Sequence, residues 1–155
     1  MPFPSPPSGC FDGARHFYAV RVYFEDTDLS GVVYHANYLR WFERGRSDML
    51  RLLGIDQRGA QEAGEGAFAV TDLALRYLRP ARLDDDVLIE STVAEVSRVT
   101  CSLVQKARRG DEVLAEGQVR VAFVSPQGRA RRLPPHFHSA FSALVAPSPE
   151  GPHHP

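Results

Sequence analysis

The chain has 155 residues, 43% apolar and 24% charged, with a formal net charge of −1. That length suits one domain with a substantial core and is short for two. The near-neutral balance excludes a general nucleic-acid binder, whose affinity rests on a clustered cationic excess.

Arginine supplies the positive charge, Lys106 being the sole lysine. Two cysteines, Cys10 and Cys101, are too few for a disulfide framework and read as free thiols of a reducing compartment. No apolar run approaches the roughly 20 residues of a spanning helix, so no integral membrane segment is expected. Residues 1–15 open on Met1-Pro2-Phe3-Pro4-Ser5-Pro6-Pro7, without the cationic and apolar regions of a secretory signal. A cytoplasmic location is therefore expected. Residues 1–15 and 146–155 read as disordered, Pro-rich tails around one domain over 16–145, because neither end has enough apolar surface to offset ordering entropy.

In chain order, Phe17–Asp26 predicts a strand, with Val20, Val22 and Phe24 alternating against Ala19, Arg21 and Tyr23. Leu29-Ser30-Gly31 turns the chain. From Asn37 to Leu53 the period changes: Tyr38, Trp41, Phe42, Gly45, Met49, Leu52 and Leu53 fall on one face of a long amphipathic helix, with Asp48 on the other. Asn37 suits its N-cap and Gly54 its C-cap. Gly45 lowers helix propensity on the apolar face, which points to a close approach there. A short helix is expected over Asp56–Ala63. Strands follow at 67–79, 87–96, 100–108, 112–125 and 129–133, then a closing helix from Pro134 to Val145. One strand, one long helix and a run of antiparallel strands give an α+β fold, with the sheet curled around a central helix. Such a sheet leaves edges that pairing with a second copy would protect, so a homo-oligomer is expected.

The connection Glu25–Tyr38 concentrates the polar chemistry. Helix-start N–H groups lack internal acceptors and carry partial positive charge, which suits a carbonyl oxygen gaining negative charge. Asp28 lies just upstream as a nucleophile or a base, and His35 offers a ring or a backbone donor. Together they suit acyl transfer from an ester or thioester to water. The same residues also suit a solvated turn with a capping carboxylate. A metal-dependent phosphohydrolase built on Asp26 and Asp28 would lack further ligands, and His153-His154 alone make no site.

The run Arg21-Val22-Tyr23-Phe24-Glu25-Asp26-Thr27-Asp28, then Gly31-Val32-Val33-Tyr34-His35 and Asn37-Tyr38, with Glu43-Arg44 beyond, resembles the hotdog-fold 4-hydroxybenzoyl-CoA thioesterase family. Within it the pattern is nearest the YbgC-like, Tol-Pal-associated acyl-CoA thioesterases. Pro80-Ala81-Arg82-Leu83-Asp84-Asp85 continues the match, which covers roughly residues 17–140. The resemblance implies a hotdog fold and hydrolysis of short-chain aliphatic acyl-CoA. Asp28 would be nucleophile or general base, and the His35 N–H would polarise the carbonyl. Tyr23, Gly31, Val32, Val33, Tyr34 and Asn37 would shape the substrate site. Arg98, with Arg129, Arg131 and Arg132, would be candidates for the coenzyme phosphates. It further implies a homodimer or homotetramer with the site at the dimer interface, and acyl-CoA or acyl carrier protein as partner. No metal and no cofactor are expected beyond coenzyme A as part of the substrate. The other reading is a non-catalytic hotdog module that binds acyl-CoA or acyl carrier protein.

Overall fold

The computed structural model describes residues 2–145. The tail expected at 146–155, with His153 and His154, lies outside the described residues. Strands β1 (Cys10–Asp12) and β2 (Arg15–Arg21) form a hairpin. A 3-10 turn (Phe24–Asp26) follows, then helices α1 (Asn37–Leu52) and α2 (Gln57–Glu62). Strands β3 (Ala67–Tyr77), β4 (Asp86–Val96), β5 (Thr100–Arg109) and β6 (Glu112–Val124) come next, and α3 (Pro135–Ser142) closes the order. The six strands make one sheet in the order β1-β2-β4-β5-β6-β3. Every neighbouring pair is antiparallel. This is the expected α+β hotdog arrangement, one long helix laid across a curled sheet.

Close approach explains how the helix seats. A Cβ on Gly45 would stand 2.9 Å from Ile89 Cγ2, and one on Gly117 would stand 2.8 Å from Phe42 Cε2. The two glycines let α1 sink onto β4 and β6, and Tyr38, Trp41, Phe42 and Met49 are buried beneath it. Polar groups under the helix are matched. Gln105 donates to the Phe42 carbonyl and to Ser91 Oγ, each at 2.9 Å, and accepts from Arg46 Nη1 at 2.9 Å. Gly54, at φ +76°, ends α1, and the Ile55 N–H reaches back to the Leu50 carbonyl at 2.9 Å.

The structure differs from expectation in several places. Strand β2 stops at Arg21, because Val22 N–H turns to the Asp85 carbonyl and the chain winds into the 3-10 turn. Cys10–Asp12, expected within a tail, pairs with Arg15–Phe17 through a turn at Gly13. The strand expected at 129–133 is reduced to one bridge, Val124 to Ala130. Leu50 is buried and Leu52 is not. Asp48, expected on the polar face of α1, is buried because His16 Nε2 lies 2.7 Å from its carboxylate and the Gly9 N–H donates to it at 2.9 Å.

Candidate active site

The connection from β2 to α1 is a small hydrogen-bonded framework. Asp28 N–H donates to the Val32 carbonyl at 2.9 Å and Gly31 N–H to the Asp28 carbonyl at 3.2 Å, closing a tight turn in which Gly31 takes φ +84°. A bridge joins Thr27 to Val33, and Val33 N–H donates to the Ala81 carbonyl at 2.8 Å. Asp28, Gly31, Val32 and Val33 are thus brought together, with Tyr34 and His35 following directly.

Asp28 is exposed at the tip of this turn. Its Oδ1 accepts from the Ser30 N–H at 2.8 Å and from the Ser30 hydroxyl at 2.6 Å. The Ser30 hydroxyl, then its N–H, hold the Asp28 carboxyl below the usual carboxylate range. The group is an oriented anion at neutral pH, available as base or nucleophile.

Asp26 works differently. Its Oδ2 accepts from the Tyr23 N–H at 2.8 Å, its Oδ1 from Asn37 Nδ2 at 2.9 Å, and its carbonyl from the Tyr34 N–H at 2.9 Å. This one residue ties the 3-10 turn to the start of α1. Asn37 is therefore not the N-cap, which falls on Ala36 without a capping side chain; Asn37 is the first helical residue and a strut.

At the helix start, Asn37 N–H returns to the Tyr34 carbonyl at 2.9 Å, but among the described residues the His35 N–H has no acceptor. The His35 carbonyl accepts from Tyr77 Oη at 2.6 Å, which fixes the orientation of the following peptide unit. Partial burial pushes the Tyr77 phenol up, so it stays a neutral donor. The Tyr34 and His35 rings lie 4.5 Å apart, and both residues are exposed. Beside them a recess of about 270 Å³ is lined by Val33, His35, Tyr38, Tyr77, Leu78, Arg79 and Pro80. Tyr23 faces a second recess of about 590 Å³, between β2 and α1, with Tyr18, Trp41, Arg40 and Arg44.

Arg98 is not brought to this site. Strand β4 starts beside it at Asp86, bonded to Arg21 Nε at 3.0 Å, and runs 11 residues, about 33 Å, before the turn that carries Arg98. Arg131 is likewise engaged elsewhere, donating to the Gly64 and Glu65 carbonyls. Among the described residues no three His, Cys, Asp or Glu side chains assemble as a metal site.

A family model described as the Thioesterase-like superfamily matches residues 22–141, most of the chain. This chain belongs to that superfamily. The Acyl-CoA thioesterase YbgC of Haemophilus influenzae is 44% identical over 107 residues, spanning 69% of this chain and 79% of the relative. The Acyl-CoA thioester hydrolase YbgC of Escherichia coli is 37% identical over 124 residues, spanning 79% and 92%. The DHNA-CoA thioesterase of Staphylococcus aureus superposes with a TM-score of 0.79 over 84% of this chain and 90% of its own, at 24% identity, a likeness of fold alone.

Three residues of this thioesterase-like site escaped the sequence reading. Ser30 carries a legible signal, since an Asp followed two residues on by Ser is a common local turn pattern. Tyr77 carries none, because it reaches His35 from a strand 42 positions away. Arg82 is the third: its backbone bridges to Val32, so it is an arginine close to the β2–α1 connection where Arg98 is not.

Proposed function

We propose that this protein hydrolyses acyl-CoA thioesters at the β2–α1 connection. One observation carries the reading: just before α1 the His35 N–H has no acceptor among the described residues, on the same short connection where Ser30 orients the Asp28 carboxylate. The thioester carbonyl oxygen would accept from the His35 N–H and gain charge against the positive end of the helix. On one route a water oxygen bonds to the carbonyl carbon while Asp28 removes its proton. The oxyanion then collapses, the carbon–sulfur bond breaks, and the proton passes to the departing thiolate of coenzyme A. On the other, Asp28 itself attacks the carbonyl carbon, the carbon–sulfur bond breaks to release the coenzyme A thiolate, and water then cleaves the resulting anhydride to the free acid and the Asp28 carboxylate, its spare proton passing to the thiolate. Both routes need the same carboxylate, and both begin with it ionised.

The acyl-CoA activity named for the YbgC relatives supports this substrate class. The recess at His35 and Tyr77 suits a short aliphatic acyl group, and Arg82 replaces Arg98 as the nearby candidate for a coenzyme phosphate. The reading takes the enzyme as a homodimer or homotetramer in the cytoplasm, without metal or cofactor. Acyl carrier protein is the other carrier it admits. Its dimer rests on β3, an edge strand of 11 residues whose Val70, Leu73 and Tyr77 are about half exposed. A thiol-release assay on purified protein across acyl-CoA chain lengths and aromatic thioesters tests it. Release of coenzyme A is expected. No release from any of them would favour a binding module.

A further inference from the structure

The connection that carries Asp28 and His35 leans on the loop between β3 and β4, residues 78–85. Ala81, fully buried in that loop, accepts through its carbonyl from the Val33 N–H at 2.8 Å. It also donates its own N–H to Tyr38 Oη at 3.3 Å. Further along, the Asp85 carbonyl accepts from the Val22 N–H at 2.9 Å. Val22 precedes the Asp28 turn, Val33 closes it, and Tyr38 belongs to the first turn of α1. The loop therefore meets the connection before Asp28 and on both sides of His35. It also gives Leu78, Arg79 and Pro80 to the wall of the recess there.

Loops are ordinarily the mobile parts of a fold, so one that carries this framework needs a fixture of its own. Arg109, the last residue of β5, provides it. Its Nη1 donates to Asp85 Oδ2 at 2.7 Å and to the Pro80 carbonyl at 3.3 Å, and its Nη2 donates to Glu112 Oε1. Glu112 Oε2 in turn pairs with Arg79 Nε at 3.1 Å, and Asp85 Oδ2 also accepts from the Arg82 N–H at 2.8 Å. Arg79 and Asp85 stand near opposite ends of the loop. One guanidinium therefore closes it, through Glu112 on one side and Asp85 on the other. Partly exposed ion pairs add little to stability, but a planar fork of donors fixes direction as well as distance.

We infer that Arg109 is a positioning residue for thioester hydrolysis: through Asp85 and Pro80 it fixes Ala81, and through Ala81 it fixes Val33 and Tyr38, on either side of the His35 N–H. The inference rests on the acyl-CoA reading and deepens it. Among the described residues Arg109 makes no hydrogen bond to the β2–α1 connection, so its effect passes through the loop. Tyr77, the residue just before the loop, holds the His35 carbonyl and so acts on the same stretch of backbone. Misplacing a reacting group by 1 Å can lower a rate about a hundredfold, which makes such a fixture matter to turnover more than to stability.

The test is kcat for thiol release at saturating butanoyl-CoA, with the fold of each protein checked by circular dichroism. Wild type is compared with Arg109→Gln, with Tyr77→Phe, and with the double variant that carries both changes. Asp85→Asn, which keeps an acceptor for the Arg82 N–H, reads the same fixture if Arg109→Gln fails to fold. Arg109→Gln and Asp85→Asn should each lower kcat about tenfold or more. In the double variant the fall should be clearly smaller than the product of the two single falls, because both act on the His35 backbone. A brace that only stabilises would lower the melting temperature and leave kcat and this coupling alone. Folded variants with the kcat of wild type overturn the inference, and so do falls that simply multiply. Either result leaves the hydrolase reading standing while wild type releases coenzyme A. No release by wild type sinks both.

Discussion

Asp26 and Asp28 differ by two positions and by everything else. Asp26 spends both oxygens and its carbonyl on Tyr23, Asn37 and Tyr34, so it shapes the connection. Asp28 Oδ1 accepts twice from Ser30, which orients the carboxylate at the exposed tip of the turn. Its depressed pKa fixes the sign of the pH dependence. The anion that the proposed reaction needs persists below the ordinary carboxylate range and is lost as pH falls through that depressed value. Ser30→Ala removes the largest cause of the shift, so the acid limb of the kcat/KM profile should move to higher pH while the fold is kept; an unmoved limb would separate Asp28 from the titration. Tyr77→Phe removes one hydrogen bond to the His35 carbonyl, about 1 kcal/mol in typical cases. It should lower kcat several-fold with little change in melting temperature.

Among the elements, α1 serves as the central packing helix and, in the proposed reaction, as the electrostatic half of the site. Its seat depends on Gly45. Valine there would put atoms within van der Waals contact of Ile89, and overpacking of this kind costs about 1–3 kcal/mol. Gly45→Val should therefore lower the denaturation midpoint even though it improves helix propensity; a midpoint equal to wild type would show the helix free to shift. The periodicity of α1 and the alternation of β6 were legible because each is a long element with one buried face. The glycine signal was legible too, since an unfavourable residue on a buried face needs a packing reason. What stayed hidden depends on partners remote in sequence. Asp48 looks like a surface residue until His16, 32 positions away, arrives beside it. The end of β2 is set by Asp85, and β1 exists only because Cys10–Asp12 meets β2 in register.

At the scale of the whole molecule, the sheet has two unequal edges. The β1 edge is three residues long and is followed by a tight turn, whereas β3 offers 11 residues with half-exposed apolar side chains on its helix-facing side. That is the edge a second copy would cover, and the site at Tyr77 and His35 opens beside it. Sedimentation velocity should show a dimer or tetramer, and Leu73→Lys should weaken it and lower activity together; a fully active monomer would remove the second copy from the account. Arg98 illustrates the limit of reading charges from sequence. An arginine in a turn between two strands looks like any other, and only the length of β4 shows that it stands at the far end of the sheet.

The central claim is that the Asp28 carboxylate does the chemistry at a carbonyl held by the start of α1. Thiol release from an acyl-CoA by Asp28→Asn, beside wild type and with the fold checked by circular dichroism, tests it most directly. The account predicts a fall in kcat of at least about a hundredfold, the scale of losing a positioned acid–base group or nucleophile, with the spectrum unchanged. Turnover equal to wild type would contradict it.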